Sequence, residues 1–260
     1  MWISFVCYYR IVITNNYTDD IKVKNPYCTV DELGFPRFDG VDFIRYKLLF
    51  NSDTLVTGES YLWAYKAAYL QYNKNLIIKY AHEANIPVLL LAGVAVAEAG
   101  GTPDRFKAYG VLQIRQIFND TFNGDNKKSN STSVGVLAIQ LRAAAETLGI
   151  DPSTLTTKQQ LQLSNCLLTD DFNIKVVAMH LRDLIIYDYP DIKNTSIITD
   201  EQLILAGSRY NRGIARDKND IINSISLPPG SKGREYSSYG RRILEKKKSI
   251  YMILGINGDE

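Results

Sequence analysis

The sequence predicts a mainly α-helical protein: a helical domain over residues 58–260, preceded by a small extension, residues 1–57, with some strand. Three observations predict it. From Glu59 onward, apolar residues recur at three- and four-residue intervals, the period of an amphipathic helix. Helix-capping residues such as Thr199 and helix-stopping glycines such as Gly149 punctuate those stretches, as real helix ends require. The first 57 residues instead combine Val, Ile and Tyr with turn-forming pairs such as Asn25-Pro26 and show little helical period.

Taken in order, "ESYLWAYKAAYLQYNKNLIIKYAHEA" reads as one long amphipathic helix or two. Pro87 sits where a first helical turn accepts proline, and no polar residue interrupts the chain from Ile86 to Ala97. That run predicts a helix buried on all sides and ending at Glu98. Residues 122–133 form a polar loop. "VGVLAIQLRAAAETLG" is expected to be helical up to Gly149, a glycine C-cap, and "DPSTLTTKQQLQLSN" to contain a short N-capped helix. "DDFNIKVVAMHLRDLII", "TDEQLILAGSRYN" with its cap at Thr199, and "EYSSYGRRILEKKKSIYMIL" supply three more helices.

Bulk composition narrows the function classes. Thirty Lys and Arg against 28 Asp and Glu leave a net charge of +2, so no global basic field points to nucleic acid or an anionic membrane. The apolar run from Ile86 to Ala97 is too short for a membrane span. Three cysteines, Cys7, Cys28 and Cys166, are neither a disulfide framework nor a zinc site; at most one bridge forms, with Cys7 to Cys28 the expected pair. "HEANI" at His82 lacks the second histidine a zinc helix needs, Ile86 standing in its place. No metal or cofactor is expected. The N-terminal "MWISFVCYYRIVITNN" lacks a basic leader and a small-residue cleavage site, and reads as a strand rather than an export signal.

The chemistry centres on Glu98. A helix C-terminus carries partial negative charge, and burial disfavours ionisation further, so a carboxyl group there tends to keep its proton near neutral pH. That is the state a general acid needs. Gly100 and Gly101 are expected to turn the chain away and leave room for a substrate. The alternative is a surface carboxylate in a salt bridge, with Arg105 the nearest partner in sequence.

Four segments, read in order, resemble the lysozyme-like fold of soluble lytic transglycosylases and goose-type lysozymes. "IPVLLLAGVAVAE" is similar to the segment that delivers the family's catalytic glutamate, here Glu98, with Ala99 where the family usually has serine. "YGVLQIR", from Tyr109, resembles the motif of Gly, two apolar residues, Gln and Ile, with Gly110, Val111, Leu112, Gln113 and Ile114. "LLTDDFNIKVVAMHLRDLI" resembles a family helix through Asp171, Asn173, Ile174, Leu181 and Leu184. "AGSRYNRG" is close to Ala-x-Tyr-Asn-x-Gly, with Tyr210, Asn211 and Gly213. Glu235, Tyr239 and Arg242 fall as in the family's last active-site helix. The resemblance spans roughly residues 76–250.

That resemblance implies an enzyme cleaving the β-1,4 bond between N-acetylmuramic acid and N-acetylglucosamine in peptidoglycan. Glu98 would be the single acid of a lytic transglycosylase, forming 1,6-anhydro ends. Tyr109, Val111 and Gln113 would hold the sugar, Tyr210 would orient Glu98 or the N-acetyl group, and Glu235 would contact substrate or pair with Arg241 or Arg242. Asn211 is expected to fix the local turn. Goose-type enzymes carry an aspartate shortly after the motif glutamine, where this chain has Arg115; Asp104, in the loop after Glu98, is the replacement base for a hydrolase alternative. A non-catalytic peptidoglycan-binding module is the other alternative. The implied partners are peptidoglycan strands, together with an immunity protein or secretion-system carrier if the chain is a delivered antibacterial toxin. The implied workplace is the cell wall in the periplasm, reached by a specialised secretion system or a phage lysis route.

Overall fold

The computed structural model describes residues 27, 34–48, 56–101, 104–118 and 124–256, and for residues 104–110 the backbone alone. The elements in order are α1 (Gly40–Lys47), α2 (Gly58–Tyr72), α3 (Lys74–Glu83), α4 (Val88–Glu98), α5 (Asp104–Phe118), α6 (Lys127–Asn130), β1 (Ser133–Val134), β2 (Ile139–Gln140), α7 (Leu141–Thr147), α8 (Thr157–Leu167), α9 (Asp170–Asp188), α10 (Asp200–Arg212), α11 (Lys218–Ile225), α12 (Ser238–Glu245) and α13 (Lys247–Leu254). Two short 3₁₀ turns, Pro152–Thr154 and Arg234–Ser237, complete the list. The fold is therefore mostly helical, as the periodicity predicts.

Two helices organise the core. α4 packs against α2, α3, α9, α10, α12 and α13, which explains its sequence: with neighbours on every side, Leu89 through Val96 are all buried and no polar face is needed. α9 packs against α3, α4, α7, α8 and α10, and buries Ile174, Val176, Val177, Leu181 and Leu184 along its length. Local signals set the other boundaries. Thr156 caps α8 and Thr199 caps α10, each in a reciprocal capping box with a glutamine three residues on.

The described part of the N-terminal extension docks onto this body. Asp170, at the start of α9, accepts from Arg37 Nη1 and from the Phe35 backbone N–H, both at 2.9 Å. Phe38 is 1% exposed and meets Tyr65 edge-on at 5.0 Å between ring centroids. Residues 40–47 are helix; the expected strand at residues 1–16 lies outside the described residues. Gly100 takes φ +71°, and a Cβ there would press on Tyr65, Phe38 and Leu62 at 2.9–3.1 Å. Its room is thus used by core side chains, not left for a substrate.

One expectation is corrected. Residues 133–140 do not begin a helix: they form a tight antiparallel hairpin with Ser133 opposite Gln140 and Val134 opposite Ile139, and helix starts only at Leu141. The reason is tertiary. Gly135 and Ala138 both adopt left-handed φ (+83° and +54°), while the Leu137 N–H is taken by Asn173 Oδ1 at 2.9 Å, so a neighbouring helix supplies the bond a local helix would have made. Cys166 is fully buried on α8 and disulfide-bonded; the expected Cys7–Cys28 pair lies outside the described residues.

Candidate active site

Glu98 is the last residue of α4, where the buried helix reaches the surface. Two carbonyls just before it, those of Val96 and Ala97, accept from Lys66 Nζ at 2.5 and 3.0 Å. A lysine from α2 thereby satisfies orphan carbonyls and offsets the negative helix end. The dipole argument for a neutral Glu98 is weakened by this contact, and burial carries the effect instead. Burial raises the Glu98 pKa, opposed by the Tyr239 hydrogen bond and by the positive charges of Lys66 and Arg242; the net shift is upward.

Tyr239 reaches Glu98 because α12 lies unusually close to α10. A Cβ at Gly240 would sit 2.0 Å from the Ile204 carbonyl oxygen, so only glycine permits this approach. Ile243, one turn on, fills the space over Gly93 of α4. With α12 seated on both helices, Tyr239 is 4% exposed and its hydroxyl donates to Glu98 Oε1 at 2.7 Å. Burial first, then the Glu98 charge, pushes the Tyr239 hydroxyl well above its ordinary pKa. It remains a donor.

Behind this pair stands Tyr210 of α10, its ring centroid 6.5 Å from that of Tyr239. The Tyr210 hydroxyl donates to the Leu137 carbonyl at 2.5 Å. Leu137 is thus held twice, its N–H by Asn173 and its carbonyl by Tyr210, and the hairpin is pinned to α9 and α10. Gly135 makes this possible: a Cβ there would lie 2.3 Å from the Leu167 carbonyl oxygen and 2.4 Å from Asn173 Nδ2. His180 of α9 backs Tyr210 at 6.0 Å and meets Thr147 Oγ1 through Nδ1 at 3.1 Å.

A cleft of about 580 Å³ opens over Glu98, within the size range of small-ligand sites. Its walls include Trp63 and Lys66 of α2, Asn211 of α10, and Tyr239, Arg242 and Lys246 around α12. Lys246 Nζ lies over the Trp63 ring at 4.3 Å from its centroid. A second carboxylate, Glu59, also lines the cleft and accepts from the Tyr46 hydroxyl at 2.9 Å.

The sequence-derived site residues divide accordingly. Glu98 and Asn211 line the cleft. Asn211 is exposed on the last turn of α10, and the turn that follows is made by the Gly213 N–H bonding back to the Arg209 carbonyl, not by the asparagine side chain. Tyr210 sits behind Tyr239 and contacts Leu137 rather than Glu98. Glu235 is exposed, outside the cleft lining, and forms no salt bridge among the described residues; Arg241 bonds Ser237 Oγ and the Arg234 carbonyl instead. Val111 and Gln113 lie on α5, half-buried and exposed respectively, and neither lines the cleft. Asp104 and Tyr109 belong to the same helix, Asp104 opening it rather than sitting in a loop, and their side chains are outside the described residues. The buried glutamine of α5 is Gln116, bonded to Gln160 at 2.8 Å.

The sequence reading missed Trp63, Lys66 and Lys246, and gave Tyr239 no specific contact. The available signal was the Trp63–Lys66 pair, one helical turn apart in a stretch otherwise rich in Tyr and Ala. Among the described residues no group of three His, Cys, Asp or Glu is placed to hold a metal ion, and no helix is long and apolar enough to cross a membrane. No family model, curated protein or solved structure matches the chain.

Proposed function

We propose that the protein is a peptidoglycan-cleaving enzyme, a lytic transglycosylase that uses Glu98 as its single acid and base on the bond between N-acetylmuramic acid and N-acetylglucosamine. The observation that carries this reading is the partly dry Glu98 carboxyl group, its pKa raised by burial, fixed by the Tyr239 hydroxyl where it lines the cleft. Burial favours the protonated, proton-donating form of the carboxyl group, and the tyrosine hydrogen bond holds its orientation.

Bond breaking follows from that state. Glu98 passes its proton to the glycosidic oxygen, which leaves as the 4-hydroxyl of N-acetylglucosamine, while the carbonyl oxygen of the muramic acid N-acetyl group bonds to C1. The Glu98 carboxylate, stabilised by Tyr239, Lys66 and Arg242, then takes the proton of the C6 hydroxyl. O6 attacks C1, the bond from the N-acetyl oxygen breaks, and the 1,6-anhydro ring closes with Glu98 protonated again and no water consumed.

The hairpin adds support. Gly135, Val136, Leu137, Ala138 and Ile139 repeat the pattern of glycine, two apolar residues, one further residue and isoleucine, with Ala138 where the motif has glutamine. Asn173 and Tyr210 hold this segment through Leu137. Gln113 does not line the cleft, so a glutamine contact to the sugar is not part of the mechanism. The disulfide at Cys166 suits work in an oxidising compartment such as the periplasm. A toxin of this kind delivered between cells would require an immunity protein able to plug the cleft.

Glu59 favours one rival, a muramidase in which two carboxylates share the cleft. The first test is digestion of purified sacculi. The wild-type protein is expected to solubilise them and Glu98→Gln to be slower by at least about 100-fold; equal rates would remove Glu98 from the chemistry, and an inert wild-type protein would leave the binding-module reading.

A further inference from the structure

The rim of the cleft carries two cations, Arg242, which also acts on the Glu98 carboxyl, and Lys246, which the cleavage steps do not use. Arg242 lies in the last turn of α12 and Lys246 is its C-cap, four residues on, so both fall on one helix face. Both are exposed, and both line the cleft. Arg242 forms no salt bridge among the described residues, and Lys246 rests on the Trp63 ring rather than on a carboxylate. The other charges facing the cleft are engaged: Lys66 with the Val96 and Ala97 carbonyls, Glu59 with Tyr46, Glu98 with Tyr239. The surrounding segment amplifies the effect. Residues 209–248 contain 11 Lys and Arg against 4 Asp and Glu, a net +7, whereas the remaining residues carry 19 against 24, a net −5. α10, α11 and α12 bring this segment together beside the cleft.

Two exposed cations that form no salt bridge among the described residues, side by side at the edge of the cleft, select a ligand with negative charge. Resting on the glycan-cleaving reading above, we propose that Arg242 and Lys246 form a carboxylate-binding subsite that engages the acidic substituent of the muramic acid residue, so that strands are recognised by their charge as well as by their sugars. On such a strand the carboxylate belongs either to the stem peptide or to the bare lactyl group left when the peptide is removed.

The test measures binding with the Glu98→Gln protein, which removes both turnover and the effect of Arg242 on the Glu98 carboxyl. Three forms of the same sacculi are compared by co-sedimentation: native, stripped of stem peptides by an amidase, and native with carboxylates converted to amides by carbodiimide and ammonia. Native strands are expected to bind about tenfold more tightly than amidated ones, the scale of two solvent-exposed charge-assisted contacts, with the advantage shrinking as salt is raised. In Glu98→Gln carrying Arg242→Gln and Lys246→Gln, the difference between native and amidated strands should collapse to within about twofold. Stripped strands identify the source: binding at the native level shows that the bared lactyl carboxylate serves as well as the peptide's, and binding at the amidated level that only the peptide's carboxylate is read. Equal binding of native and amidated strands by the parent protein, or a triple variant that keeps the tenfold difference, overturns the subsite while leaving the glycan cleft standing. Failure to bind any of the three forms overturns the glycan-cleaving reading and the subsite with it.

Discussion

The hydroxyl of Tyr239 donates to Oε1 of Glu98 at 2.7 Å, across 141 positions of chain. The contact fixes the rotamer of the proposed acid and stabilises its ionised form, and its loss has a readable sign. The proposed mechanism needs Glu98 protonated, so it predicts that activity falls as pH rises through the Glu98 pKa. Removing a donor to the carboxylate raises that pKa, hence Tyr239→Phe should move the basic limb of the pH–rate profile to higher pH and lower kcat about tenfold through lost positioning. Lys66→Met should move the limb the same way, since its charge also favours the carboxylate. A basic limb unmoved in both variants would mean that another group titrates.

Stability should report the same group in the opposite sense. The folded-state pKa of Glu98 lies above its unfolded value because burial penalises the charge, so the contribution is fully favourable below the unfolded pKa and is lost as pH rises through the folded one. Glu98→Gln removes that loss. Its melting temperature should exceed the wild-type value at pH 8, with the gap closing at pH 4, where the carboxyl is protonated in both states. A gap independent of pH would contradict a buried, perturbed acid.

His180 provides a second pH signature. Burial lowers its pKa to about 4 from 6.5, so the unfolded chain binds a proton that the folded one refuses between those values. The contribution is present above pH 6.5 and is lost as pH falls toward 4, up to about 3 kcal/mol for a shift of that size. Thermal unfolding of His180→Gln from pH 4 to pH 7 should show a flatter pH dependence than wild type; parallel curves would place the histidine in solvent.

The hairpin can be broken at one atom. Gly135→Ala combines a left-handed φ with a Cβ 2.3 Å from the Leu167 carbonyl oxygen, and is expected to destabilise the protein by about 2–4 kcal/mol in urea unfolding. The same change at Gly149, which has a positive φ but open space around it, should cost about 1 kcal/mol. Equal losses at the two positions would show that backbone conformation alone matters and that the Leu167–Asn173 cradle does not.

How much of this was legible depends on the range of the interaction. α4 could be read directly, because an all-apolar run from Leu89 to Val96 has one stable solution, a helix enclosed by others. The caps at Thr156 and Thr199 could be read because each needs only a glutamine three residues away. The hairpin at 133–140 could not, since its backbone partners are Asn173 and Tyr210, 36 and 73 residues distant from Leu137. Tyr239 lay within a segment already singled out, but Lys66 gave no local sign of reaching the end of α4, and nothing short of the packed helices reveals that a lysine from α2 caps it.

The central claim is that one carboxyl group, Glu98, both breaks the glycosidic bond and closes the new ring. Mass spectrometry of the fragments released from purified sacculi tests it most directly. The account expects muropeptides ending in 1,6-anhydro-N-acetylmuramic acid, lighter by one water than their hydrolysed counterparts, and none from the Glu98→Gln protein. Fragments with free reducing ends, or anhydro products that persist in Glu98→Gln, would contradict it.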